Sequence, residues 1–214
     1  MKGSDHVKKY DRNKEMELYK TEEEQLEAIN ENPYNIVYIK NPSEEMKLES
    51  VKQDGCSIVF IKNPSEKVQL ASVKQNGRYI VYIKDPSEKV QLKAVKQNAS
   101  AIHYIKNPSE KVQLAAVKQK ASAIAFIKNP SEKVQLEAVQ QDGSAIQFIK
   151  NPSEKIKLKA VEADGCAISY IKNPSEEIIK TAILNGANKN DLMRIRGINW
   201  NKISDELRLQ IQLM

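Results

Sequence analysis

Seven prolines constrain this chain more than any other feature: Pro42, Pro64, Pro86, Pro108, Pro130, Pro152 and Pro174 follow one another every 22 residues without insertion or deletion. A strict period of this size signals a repeat architecture, in which each unit buries its apolar face on its neighbours rather than around one common centre. Stepping back 22 residues from Ser43, Glu44, Leu48, Val51 and Ile58 reaches Thr21, Glu22, Leu26, Ile29 and Ile36, so a degenerate copy begins near residue 20. With that copy the chain holds seven full units and an eighth begun at Asn173.

Within a unit, Asn-Pro-Ser-Glu reads as a helix start. Asn63 is expected as N-cap, Pro64 at the first helical position and Glu66 at the third, where its carboxylate can close a capping box. The helix should run through VQLASVKQ and stop at Asn76-Gly77, where glycine can take the left-handed conformation that ends a helix. On a helical wheel Val68, Ala71 and Ser72 fall on one side and Leu70 and Val73 roughly opposite, so the helix needs apolar neighbours on two flanks. Lys67 and Lys74 share the remaining polar face. The segment that follows, RYIVYIK, is too short for periodicity to separate helix from strand, and a second short helix is expected, with Ile80 and Ile83 inward and Val81 toward solvent.

These features predict an all-α solenoid of about seven to eight 22-residue two-helix repeats, roughly 60 to 70 Å along the stack, with a helical C-terminal cap. The competing fold is a strand-plus-helix horseshoe of the leucine-rich kind, whose period can also be near 22. Its signature needs alternating Leu and a ladder Asn inside the strand, and Ala-Ile-x-Tyr-Ile-Lys supplies neither. The aligned rings Tyr38, Phe60, Tyr82, Tyr104, Phe126, Phe148 and Tyr170 fit either fold; their exchange of Tyr for Phe says that the ring is used and the hydroxyl is dispensable.

The ends depart from the pattern. Residues 1–18 are polar and mixed in charge, and are expected to be a mobile N-terminal segment. The solenoid is assigned to residues 19–184, its first copy an acidic cap with Pro33 where other copies carry Gly or Ala. Residues 185–214 are expected to form a capping subdomain with helices starting near Asp191 and Asn201, the second docking through Ile203, Leu207 and Ile211 together with Trp200. No apolar run approaches the roughly 18 to 20 residues of a spanning helix, and the first residues lack the apolar centre of a secretion signal. A soluble cytoplasmic protein without membrane association is the expectation.

Little in the composition supports catalysis. With two His, two Cys and seven Gly there is scant material for metal sites, nucleophile–base pairs or phosphate-cradling loops, so no enzyme activity, metal, cofactor or small-molecule substrate is expected. Cys56 and Cys166 occupy one register five units apart, on the order of 45 to 50 Å if units stack at about 9 to 10 Å, too far for a disulfide. The eight aligned glutamates from Glu22 to Glu176 are accounted for by helix capping.

Charge is the feature that points to a partner. The formal balance is +6, yet residues 21–62 carry four basic and nine acidic side chains, residues 63–128 twelve and four, and residues 129–184 seven and eight. Stacking turns the central excess into rows: Lys67, Lys89 and Lys111 at one register, Lys74, Lys96 and Lys118 at a second, and Lys62, Lys84, Lys106 and Lys128 at a third. The candidate partner-binding residues are the first two rows with Lys93, Lys120, Arg78, Tyr79 and His103. Arg78 is the only arginine of the array and Tyr79 the only extra ring expected outside the core, which argues against reading of bases.

The NPSEKVQLAAVKQNG-type unit resembles the short helical repeats of uncharacterised bacterial and phage proteins, over about residues 20–184. The resemblance implies a repeat fold in a bacterial cell and suggests a phage-encoded inhibitor of a bacterial defence complex, of anti-CRISPR type, that works by occlusion. The expected function is a non-enzymatic scaffold that binds an acidic protein or nucleoprotein through its basic central face. Direct binding of an RNA or DNA backbone is the first alternative, and a structural protein that self-assembles through its ends is the second.

Overall fold

The computed structural model describes residues 21–195 and 203–213. The expected N-terminal segment 1–18 and the docking role of Trp200 lie outside the described residues. Each of seven units pairs a ten-residue α-helix with a six-residue 3-10 helix. The pairs are α1 (Glu22–Glu31) with η1 (Pro33–Tyr38), α2 (Glu44–Gln53) with η2 (Gly55–Phe60), and α3 (Glu66–Gln75) with η3 (Gly77–Tyr82). They continue as α4 (Glu88–Gln97) with η4 (Ala99–Tyr104), α5 (Glu110–Gln119) with η5 (Ala121–Phe126), α6 (Glu132–Gln141) with η6 (Gly143–Phe148), and α7 (Glu154–Ala163) with η7 (Gly165–Tyr170). After α8 (Glu176–Leu184) come α9 (Lys189–Met193) and α10 (Asp205–Leu213). No strand occurs among the described residues, so the horseshoe alternative is excluded and the fold is an all-α solenoid.

Stacking follows the period. From α1 to α8 each α-helix packs on the one before it, and from η1 to η7 each 3-10 helix does the same, so two layers run the length of the array; α9 packs on η7. The core between them repeats with the sequence: Val68, Val73, Ile80 and Ile83 in the third unit, Val90, Val95, Ile102 and Ile105 in the fourth. Ser72 is fully buried and donates its hydroxyl hydrogen to the Gly55 carbonyl oxygen at 2.7 Å, so the one polar side chain of that helix core is satisfied by the previous unit.

The helix start differs from the expected one by two residues. Ser65, not Asn63, is the N-cap: its hydroxyl accepts the Val68 amide at 3.3 Å, and Glu66 opens the helix. Asn63 instead turns the chain through the left-handed region at φ 48°, as do Asp85, Asn107, Asn129, Asn151 and Asn173 at 47° to 53°. Short polar Asn and Asp tolerate that conformation better than other L-residues. The αL residue and the rigid proline after it reverse the chain into the next helix, and Ser then caps it.

The helix stop lies where the sequence places it, for a different reason. Asn76 is extended, with φ −147°, and serves both helices: its amide bonds the Ser72 carbonyl, and its side chain accepts the Arg78 amide at 3.0 Å to cap η3. Gly77 is not left-handed. It is buried against the next unit, where an added Cβ would lie 2.2 Å from the Ala94 carbonyl oxygen. Close approach, not backbone freedom, selects glycine there.

The C-terminal helix continues the stack by imitation. Ser204 caps α10 through the Leu207 amide, as Ser87 caps α4 through Val90. Its hydroxyl also donates to Glu176 at 2.7 Å, the same contact by which Ser87 reaches Glu66 at 3.0 Å. Ile203, Leu207 and Ile211 are buried, so α10 covers the apolar edge of the last unit through its side chains and the Ser204–Glu176 bond, without the close backbone packing that joins successive repeats.

Candidate functional site

Six of the eight aligned glutamates, Glu44, Glu66, Glu88, Glu110, Glu132 and Glu176, reach a following helix or its N-cap rather than closing capping boxes, while Glu154 pairs with Lys157 of its own helix. Glu66, the first residue of α3, accepts the Ser87 hydroxyl at 3.0 Å and pairs with Lys89 at 2.8 Å, both in the next unit. Glu88 does the same with Ser109 at 2.6 Å and Lys111 at 3.5 Å, and the ion pairs continue as Lys133–Glu110 at 3.7 Å and Lys155–Glu132 at 3.0 Å. The Glu66 carboxyl is held below the usual range by Lys89 and then Ser87, and that of Glu88 by Ser109 and then Lys111.

This ladder divides the predicted basic residues. Lys89 and Lys111 are spent on neighbouring carboxylates, whereas Lys67 is exposed and has no ion pair among the described residues. Further along the α-helices, about 10 Å from that row at 1.5 Å per residue, Lys74 and Lys96 are exposed and unpaired among the described residues. Lys118 lies 3.9 Å from Glu137. Lys93 is exposed on α4. Lys120 takes a position that Asn or Asp fills in the other units, and it leaves η5 without a side-chain cap.

Arg78 and His103 do converge. The Arg78 guanidinium donates to the Tyr104 hydroxyl at 3.0 Å and lies 6.0 Å from the centre of that ring. His103 meets Tyr104 and Phe126 edge to face, both with centroids 5.1 Å apart. Side chains from η3, η4 and η5 thereby form one continuous patch. Tyr79, 6.4 Å from Tyr82, is only half-buried beside it.

The expectation that Tyr79 is the only extra ring outside the core is corrected by the aligned aromatics themselves. Tyr38, Phe60, Tyr82, Phe126, Phe148 and Tyr170 are 42% to 49% exposed, and Tyr104 is half-buried by its Arg78 and His103 contacts. The cause is local. Ile83 is extended, with φ −102° and ψ 119°, and its side chain is buried. In extended backbone, successive side chains point to opposite sides, so Tyr82 and Lys84 are both turned outward. The same Tyr/Phe-Ile-Lys triplet closes all seven units, with the isoleucine buried and the lysine exposed each time. At the last unit, Tyr170 and Lys172 line one open cleft together with Arg194.

The rings also lean on the preceding unit. Phe60 packs against Tyr34 at 5.8 Å, Tyr104 against Arg78, and Phe126 against His103. At the first of these junctions the Tyr34 hydroxyl donates to the Asp54 carboxylate, which pushes the phenol up to about 12. At these three junctions a constant ring thus meets a side chain of the unit before that differs from one junction to the next: Tyr34, Arg78 and His103. The sequence signal was the fixed register of the ring beside an isoleucine; it was missed because an invariant aromatic reads as core.

Comparison with protein-family models, curated proteins and solved structures gives no match to this chain.

Proposed function

We propose that the protein is a non-enzymatic scaffold that binds an acidic macromolecular partner along the 3-10 layer of its solenoid. One observation carries this reading: all seven units present an aromatic ring and an outward lysine on either side of a buried isoleucine. A soluble surface gains nothing in solubility from seven aligned rings, whereas aromatic side chains concentrate binding energy where a partner covers them. The basic excess of residues 63–128 places the strongest attraction at Lys84, Lys106 and Lys128, with Arg78 and His103 between the rings. The lysines of the glutamate ladder, Lys89 and Lys111, serve the stack instead.

The test is binding of the purified chain to polyanions of defined chemistry, namely poly-L-glutamate, heparin and oligonucleotides. Charge reversal at Lys84, Lys106 and Lys128 should abolish the interaction, and the same change at Lys89 and Lys111 should weaken it far less. Equal losses from both sets would remove the 3-10 layer as the binding face.

A further inference from the structure

We infer that the partner on this face is a single-stranded nucleic acid, laid lengthwise along the column so that its bases stack on the rings and its phosphates meet the lysines. This rests on the reading of the 3-10 layer as the binding face and names its occupant.

Three features favour this occupant over an acidic polypeptide. First, the ring is present in every unit while its hydroxyl is not, since Phe60, Phe126 and Phe148 alternate with tyrosines. A π face without a fixed polar tip suits base stacking, which tolerates any base; carboxylates would satisfy the lysines and leave the rings unmatched. Second, ring and lysine recur together with one fixed spacing, as does the base-and-phosphate unit of a strand, and Lys is a sound point-charge partner for phosphate. Third, the glutamates that follow the central lysines four residues on are already engaged by the next unit, Glu88 by Lys111, Glu110 by Lys133 and Glu132 by Lys155, which leaves Asp85, next to Lys84 in sequence, as the exception.

Geometry also sets the length. Neighbouring helices pack about 8 to 10 Å apart, so six intervals from Tyr38 to Tyr170 span on the order of 50 to 60 Å. A stacked strand advances about 3.4 Å per nucleotide, so about 15 nucleotides cover the column, with two or three per unit. In a duplex the bases are stacked on one another and cannot meet the rings.

The experiment is fluorescence anisotropy of the full chain with labelled oligothymidylates of increasing length, at two salt concentrations, with a duplex of equal length and poly-L-glutamate as competitors. Affinity should rise with length and level off near 15 nucleotides. The paired change Tyr82→Leu and Phe126→Leu, which keeps apolar cover over the core, should weaken binding at least tenfold at either salt concentration with the melting temperature retained. Lys106→Glu with Lys128→Glu should lower the salt dependence as well as the affinity. Poly-L-glutamate binding as tightly as the oligothymidylates, with the ring variants unaffected, overturns the nucleic-acid assignment and leaves the acidic-partner reading standing. Failure to bind any polyanion overturns both.

Discussion

Gln97 ties its unit to the one before: its Oε1 accepts the buried Gly77 amide at 2.6 Å, and its Nε2 donates to the Gln75 carbonyl at 3.0 Å. Gln75 holds Gly55 in the same way at 2.7 Å, and Gln119 holds Ala99 at 3.1 Å, the longer bond where a methyl group intervenes. In η2, η3 and η4 a glutamine of the next unit thus satisfies the first amide of the 3-10 helix, and in η7 the Asn185 carbonyl does so for Gly165 at 3.1 Å, so a unit removed from the stack loses that partner.

Gln97→Leu keeps the apolar stem and removes both bonds. With the Gly77 amide left buried and unpaired, the variant should lose about 1 to 3 kcal/mol of unfolding free energy. A urea titration checks this; an unchanged midpoint would mean that water replaces the glutamine without cost. Because a linear array is coupled only through adjacent interfaces, the transition should also broaden.

Lys120 is expected to be a site where stability has been given up. Asn98 caps η4 through the Ser100 amide at 3.0 Å, and the lysine at the equivalent place in η5 cannot accept such a bond. Lys120→Asn should therefore stabilise the chain by about 0.5 to 2 kcal/mol, measured as a rise in melting temperature. A fall would show that the ammonium group holds a structural contact of its own. Paired with binding data, the same variant asks whether a local rule broken in the most basic stretch serves the partner.

Much of this was legible in the sequence because the period is exact. Once Pro64 and Pro86 are aligned, Ile80, Ile83 and Val81 sort correctly into core and surface, and the array of helices follows. Contacts between units were not legible, since they join residues 17 to 26 positions apart that no local pattern connects. Glu66 was therefore read as serving its own helix, when its partners Ser87 and Lys89 lie 21 and 23 residues on. The exposure of Tyr82 was hidden for a similar reason: it depends on the extended backbone of Ile83, which hydrophobicity alone does not reveal.

Three substitutions separate the roles of Asn107 and Ser109. At φ 48°, Asn107 should accept glycine with little change, whereas threonine, branched at Cβ, should cost about 1 to 2 kcal/mol. Were Asn107 the N-cap, threonine would be among its best replacements. Ser109→Ala removes the acceptor of the Val112 amide and should cost about 1 kcal/mol. Equilibrium unfolding of the three variants decides the matter, and a benign Asn107→Thr would contradict the turn described above.

Acid should release the C-terminal helix before it unfolds the array. Glu176 receives Lys180 at 2.8 Å and the Ser204 hydroxyl at 2.7 Å, and its carboxyl falls from an ordinary 4.5 to about 2, with the Lys180 bond the larger cause. A carboxyl whose folded value is depressed contributes fully above its unfolded value and loses that contribution as pH drops toward the folded one. The window is therefore pH 4.5 down to about 2. Across it the stability advantage of the native chain over Glu176→Gln should shrink toward zero, and hydrogen exchange in α10 should accelerate in the native chain while α3 to α6 stay protected. Parallel pH profiles for the two proteins would show that Glu176 does not hold α10 to α8, and that the apolar contacts of Leu207 and Ile211 suffice to dock the cap.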